Sequence, residues 1–492
     1  MRTRGSRRGL LLERSREVYH PARLAESAAR WLCRWLLRAL RDYRAVVAGF
    51  SRDARLLLAA WTLGAIGAGA VGTLYTLYII ALGFREDFLG LLLFVGALAG
   101  GLAALPAGWL SDRLGARLAM LGGMVVLGAA MLVQYVATVA WLLLAGAAVA
   151  SAAVAVASVA QTPLLYSSST PRDRTHLFGV SDALFVTASA AGGVLAGMLV
   201  QPAAMLWPGL DRAGAYRVAL LAVSLIAAAS IIPLWLIRPH PSEHSSIDLP
   251  FSPTGLRGML RAVPGRLGVT LQGEATGIIT RLSLTSALMG FGAGLSIPFL
   301  NVFLVERLGA DAAMVGLVRA GGTLVTAAGA LTAPLLAGSL GAVVAVVLSR
   351  LASVPFLWAL GLTANLPLAA ALYMARAALV NAAAPIISAF SMDVVAPAWR
   401  ARANAFLMVT WGLSYAAGSL AGGVLLTHWP PPGLEALPLR HGGYTVAFML
   451  TGVLYALATT LFWLMFRHAQ LSTLWTDAGH DGPRQTGLAR VR

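Results

Sequence analysis

Long apolar runs recur along the chain, each broken by a short polar or turn-forming link. A helix crossing the hydrocarbon core of a bilayer needs roughly 20 mostly apolar residues. Twelve runs meet that length, at about 55–80, 88–110, 117–139, 141–164, 178–201, 216–238, 282–306, 312–337, 342–363, 366–391, 403–427 and 444–467. Gly, Pro or charged residues close most of them, as turns require. The third and fourth nearly touch at Thr138–Trp141, which predicts a tight hairpin. Runs so apolar predict an all-α integral membrane fold with 12 transmembrane helices.

The long polar stretch 239–281, opening with RPHPSEHSSIDLPFSP, divides the runs six and six. The predicted organisation is a basic extension at 1–54, a six-helix bundle at 55–238 and a linker at 239–281. A second bundle at 282–467 and a tail at 468–492 complete it. The two halves echo each other. Laid over 397–425, residues 171–199 match Pro171 to Pro397, Arg174 to Arg400, Gly192 to Gly418 and Gly197 to Gly423 without gaps. Downstream, WPGLDRAGAYRVAL echoes WPPPGLEALPLRHGGYTVAF, and the GAG at 67–69 matches that at 292–294. Parallel six-helix repeats place a substrate site at their interface near mid-membrane.

Composition narrows the class. The chain is 58% hydrophobic and 12% charged, against about a quarter charged in soluble domains. Its net charge is +17, and all 37 basic residues are arginine. They gather at alternate links, in Arg113 and Arg117, Arg172 and Arg174, Arg238 to Arg266, and Arg400 and Arg402. That asymmetry reports topology and predicts cytoplasmic termini in the inner or plasma membrane. It is no sign of nucleic acid, because the interleaved aromatics of a single-strand groove are missing. Residues 24–47 alternate Trp31, Leu32, Trp35, Leu36 and Leu40 with Arg30, Arg34, Arg38 and Arg41. The spacing suits a helix lying on an anionic inner leaflet, or one packed on the protein's own cytoplasmic loops. The single Cys33 excludes an internal disulfide and a cysteine zinc cluster. There is no nucleophile–base pattern, acid pair, metal-spaced histidine set or phosphate-binding Walker loop. The expectation is a non-enzyme, without cofactor or metal, working as a monomer on a small molecule.

Between the second and third runs, residues 108–118 read GWLSDRLGARL. This resembles the signature loop of the major facilitator superfamily (MFS), roughly G-x-L-x-D-r-x-G-r. Gly108, Leu110, Asp112, Arg113, Gly115 and Arg117 match it, with the second basic residue displaced by one. The corresponding link of the second half keeps Leu340 and Gly341 but no charge. TPRDRTHLF resembles the loop between helices 4 and 5 of the drug-efflux-like branch. The fourth-helix arginine motif and the proline-containing antiporter motif of the fifth helix are absent. The resemblance implies a transporter working by rocker-switch alternating access, with an exporter as one expectation and a non-transporting sensor or scaffold as the alternative. It also implies that Gly108, Asp112, Arg113, Gly115 and Arg117 form a conformational latch. The acid would bridge to the start of helix 11, near Arg402 and Asn404, when the cytoplasmic side is shut.

Charges inside a membrane are expensive and are functional candidates by default. Arg319, Arg350 and Arg376 lie within the eighth, ninth and tenth runs, with no acid deep in the second half to pair with them. In the family the eighth and tenth helices line the cavity, so Arg319 and Arg376 are candidates to bind an anionic group by bidentate contacts. Helix-end carbonyls or Asp182 are their alternative partners, and Arg350 reads as structural. Asp182 is a candidate coupling acid or an ordinary first-turn acid. Tyr75, Gln161, Asn301, Asn381, Trp411 and Tyr415 complete the candidates; together they suggest a modestly polar pocket for an amphiphile, though each also suits helix packing.

Overall fold

The structure is a computed structural model that describes residues 49–170, 173–238, 274–396, 399–430 and 441–467. The amphipathic stretch 24–47, Pro171, Pro397 and most of the central linker and tail lie outside the described residues, as do the side chains of Asp112 and Arg402.

Among the described residues, twelve helices are long and apolar enough to cross a membrane. They are α1 (Arg52–Ala81), α2 (Glu86–Leu114), α3 (Ala116–Val136), α4 (Ala140–Ser167) and α5 (Arg174–Leu206). Then come α6 (Arg212–Leu236, interrupted after Ala228) and α7 (Gly277–Glu306). The second half continues with α8 (Ala312–Leu340), α9 (Ala342–Leu362), α10 (Leu366–Val394), α11 (Arg400–Thr427) and α12 (Gly443–Phe466). The predicted hairpin between the third and fourth runs is a link of three residues, Ala137 to Val139. The helix leading into α7 starts at Glu274, earlier than the apolar run suggests, because the polar turn before Leu282 is also helical. Near its other end α7 tightens into a 3-10 turn at Ile297–Phe299, where Pro298 has no amide hydrogen to donate.

Side chains cap helices at the arginine-poor end. Asp211 accepts from the Gly214 amide at 2.7 Å, Asp311 from Met314 at 2.7 Å and Asn365 from Leu368 at 2.9 Å. Each satisfies an amide that the first turn leaves without a partner. At the arginine-rich end, α2 joins α3 through Gly115 alone (φ 82°, ψ 148°) and α8 joins α9 through Gly341 alone (φ 79°, ψ 151°). That region of backbone space is essentially restricted to glycine. The glycine of the signature loop is thus the part that both halves retain.

In each half one helix pair crosses backbone on backbone. A Cβ on Gly192 of α5 would overlap the Ile66 carbonyl of α1, and one on Gly418 of α11 would overlap the Phe291 carbonyl of α7. The halves meet in the same way. Gly197 of α5 abuts the Ala312 carbonyl at the head of α8, and Gly423 of α11 abuts the Glu86 carbonyl at the head of α2. An offset of 226 residues relates Gly192 to Gly418, Gly197 to Gly423 and Glu86 to Ala312, and one of 225 relates Ile66 to Phe291. The glycines aligned in the sequence are therefore the points where helices touch most closely, as small residues allow in a membrane.

Burial separates the two ends. At the arginine-poor end one hydrophobic core runs through both halves, taking in Leu74, Tyr78, Leu89 and Leu220 with Phe303, Val315, Leu357 and Phe448. At the arginine-rich end there are two cores. One belongs to the first half, around Leu57, Met120 and Leu164. The other belongs to the second half, around Val346, Phe390 and Phe462. The bundles are joined at one end and separate at the other.

Candidate functional site

The joined end is closed by contacts that cross between the halves. Arg85 donates to the Thr427 carbonyl at 2.6 Å, and the Thr427 hydroxyl accepts from the Asp87 amide at 2.9 Å. Tyr444 donates to Glu86 at 2.9 Å, and Arg212 pairs with Glu306 at 3.0 Å. Deeper, the Asn301 amide of α7 donates to the Gly72 and Thr73 carbonyls of α1 at 3.0 and 3.1 Å.

Along α2 the closure gives way. Gly90 packs on the Ser419 carbonyl of α11, but Gly101, three turns further on the same face, has nothing near its Cβ position. Gly412, two turns before Ser419 on the facing side of α11, is also open. A cleft therefore opens between the halves toward the arginine-rich end.

At the head of that cleft lie the arginines of α8 and α10. Arg319 reaches across to the first half, and a Cβ on Gly72 would sit 3.2 Å from its guanidinium. Arg376 is 5% exposed and donates to the Tyr455 hydroxyl at 2.8 Å, with its Nε buried and without a partner. Tyr415 of α11 stands in the electrostatic field of both arginines and of Tyr373 and Tyr455. Behind them, Arg350 of α9 also has a partnerless buried Nε and shares Tyr455 as its electrostatic neighbour. Between Ala312 and Met392 the chain has these three arginines and no acid. The arrangement is a positive site walled by tyrosines, able to take a negative group and an aromatic or apolar body.

The structure thus brings together Arg319, Arg376 and Tyr415, with Asn301 one helix away through Gly72. Trp411 lies one turn from Tyr415 toward the open end and is 40% exposed. Three candidates are bonded elsewhere. Tyr75 donates to Gln134 between α1 and α3. Gln161 donates to Ser181 at 3.4 Å between α4 and α5. Asn381 ties α10 to Thr326 of α8 at 3.2 Å. Sequence reasoning missed Tyr373 and Tyr455; a tyrosine in an apolar run is a faint signal, because its ring packs like any other. Asp182 is exposed and three turns from Gly193, whose carbonyl meets Gly316 of α8. That puts it on the cleft face of α5.

In the signature loop, Arg117 donates to the Leu234 carbonyl at 3.4 Å and to Trp235, both at the end of α6 in its own half. Arg113 stacks over Trp109 at 4.3 Å, and Asn404 of α11 bonds Met408. A separate hollow of about 450 Å³ lies among Ser51, Arg52, Asp53, Ser167 to Thr170 and Arg238. It belongs to the first half alone and is remote from the cleft arginines. No set of three His, Cys, Asp or Glu residues that could hold a metal occurs among the described residues.

Comparison with solved structures gives the same architecture at low sequence identity. A bacterial homologue of the human lysosomal transporter Spinster, in an inward-facing and occupied conformation, aligns with TM-score 0.67 at 16% identity over 86% of this chain and 97% of its own. The nucleoside transporter NupG aligns with TM-score 0.64 at 14% identity, covering 85% of this chain and 100% of its own. A D-xylose–proton symporter aligns with TM-score 0.62 at 13% identity, covering 83% and 95%. No curated protein sequence matches the chain. The sequence model of the Major Facilitator Superfamily matches residues 56–273 and 282–486, which takes in both bundles. On that match, carried by a fold of 12 membrane helices, the chain belongs to the Major Facilitator Superfamily.

Proposed function

We propose that this chain is a secondary transporter that moves a small anionic amphiphile by alternating access. The observation that carries the reading is the placing of Arg319 against Gly72 of the first half and of buried Arg376 on Tyr455, in a stretch of chain with no acid. A guanidinium at membrane depth must find an anion, carbonyls or water. Arg376 has found one tyrosine hydroxyl, and Arg319 bonds no side chain among the described residues. A carboxylate, sulfonate or phosphate entering from the cleft meets two positive forks, while Tyr373 and Tyr415 receive its apolar part.

In this reading the arginine-rich end is cytoplasmic, and the structure is the inward-open state. The signature loop is then a disengaged latch, with Arg113 and Arg117 parked in their own half and available to meet the head of α11 on closure. Asp182, on the cleft face of α5, is the candidate to couple transport to protons.

The test is flux in proteoliposomes with radiolabelled benzoate, succinate, inorganic phosphate and the cation tetraphenylphosphonium. An anion is expected to move, and Arg319→Gln and Arg376→Gln are each expected to slow it by about tenfold or more, the scale of one charge-assisted hydrogen bond. Anion flux at the wild-type rate in both variants sinks the reading, as does flux of the cation alone.

A further inference from the structure

The head of the cleft, at the level of Arg319 and Arg376, has positive charge and no acid on α8, α9 or α10 beside it, and this bears on which steps of the transport cycle the protein can run. Arg319, Arg350 and Arg376 occupy α8, α9 and α10, and the first acid after them is Asp393 near the end of α10. Nε of Arg350 and of Arg376 is already buried without a partner. What surrounds the three is neutral: the Tyr455 hydroxyl, Tyr415 and the Gly72 backbone. Water reaches the site from one side only, since the other is sealed by Asn301 on α1 and by the crossing of α5 and α8.

To change sides, the carrier passes through a state shut at both ends. An empty carrier then encloses uncompensated guanidinium groups, which have lost the cleft water and gained no anion. Removing unpaired charge from water is strongly unfavourable. Asp182 is not placed to compensate, because it lies three helical turns along α5 from the level of the Gly193–Gly316 contact. A bound anion supplies the missing charge at the moment it is needed. We propose that the protein is an obligatory anion exchanger: the loaded carrier changes sides, the empty one is held open, and movement of one anion out requires another to return. The proposal rests on the anion reading of the same site and goes beyond it, because that reading is equally compatible with one-way transport.

The proposal predicts the behaviour of the empty protein, so its first test needs no substrate. Spin labels go on Gly209→Cys and Ala364→Cys, both exposed, at the closed end of opposite halves, in a Cys33→Ser background. In nanodiscs with chloride as the only small anion, electron–electron distances are expected to report a closed outer end in the unsubstituted carrier. Neutralising the positive charges, in Arg350→Met and in the triple variant with Arg319→Gln and Arg376→Gln, is expected to raise the outward-open share at least about tenfold. The single variant keeps the test valid if the triple does not fold. A second arm compares flux of the anions above into liposomes with and without the same anion inside. Exchange is expected to exceed net flux at least about tenfold, and Arg350→Met to narrow the ratio.

Free interconversion of the empty protein, or distances unchanged by neutralisation, overturns the proposal. Net flux as fast as exchange overturns it too and leaves the anion reading standing. No flux of any anion removes both.

Discussion

The two halves share a scaffold and differ in how they treat charge. Each crosses its helices on a glycine at the same place, Gly192 over Ile66 and Gly418 over Phe291, and each turns on a lone glycine, Gly115 or Gly341. In the first half several tyrosines inside the membrane are bonded within the bundle, while the Nε of Arg217 is buried without a partner. Tyr75 bonds Gln134, Tyr78 donates to the Tyr135 carbonyl at 2.8 Å, and Arg217 donates to Tyr78. In the second half Arg319, Arg350 and Arg376 share tyrosines and have no anion. The backbone crossings are symmetric between the halves. The arginines of α8, α9 and α10 belong to the second half alone.

The largest expected effect tests the symmetric part. Gly192→Leu and Gly418→Leu each force a side chain into a backbone carbonyl with no room to move. Overpacking at such a contact is expected to destabilise by at least about 3 kcal/mol. Both variants should lose folded yield in detergent, measured by size-exclusion chromatography after a temperature series. If one half tolerated the change and the other did not, the equivalence of the two crossings would fail.

A middle-sized effect separates scaffold from charge. Gly115→Ala and Gly341→Ala each place a side chain at a positive φ, with an expected strain of about 1–3 kcal/mol. The fall in unfolding temperature should be similar for the two. Flux should fall further in Gly115→Ala, because only that turn carries the charged signature. Equal losses of flux would reduce the loop to a structural turn.

The smallest expected effect lies at the closed end. Arg212 and Glu306 are 52% and 39% exposed, so their bridge is well screened. Exposed pairs contribute about 0.2–1 kcal/mol, and Arg212→Gln should shift the closed population by no more than about fivefold in the spin-label measurement. Complete opening would mean that the backbone crossings contribute little to closure.

Much of this was legible in the amino-acid order, and the reasons differ from residue to residue. A span announces itself because lipid requires length and apolarity together. The glycines of α5 and α11 stood out by alignment, but what they touch did not, since the Ile66 and Phe291 carbonyls belong to other helices. Arg319 and Arg376 could be singled out because any charge in such a run is anomalous. Tyr455, which holds Arg376, could not, because nothing in an apolar run separates a bonded tyrosine from a packed one. Asn301 looked like a pocket residue for the same reason that it is a good fastener. An amide in a membrane must bond something, and the order of residues does not say whether that is a solute or helix α1.

The glycine crossings also bear on speed. Where Gly197 and Gly423 meet the heads of α8 and α2, the touching surfaces are peptide groups, which have no rotamers to reset. Parting them leaves no cavity to refill, and rejoining them demands no search among side-chain conformations. On the proposed cycle, contacts faced in this way would part and rejoin like a dry bearing with nothing to re-seat.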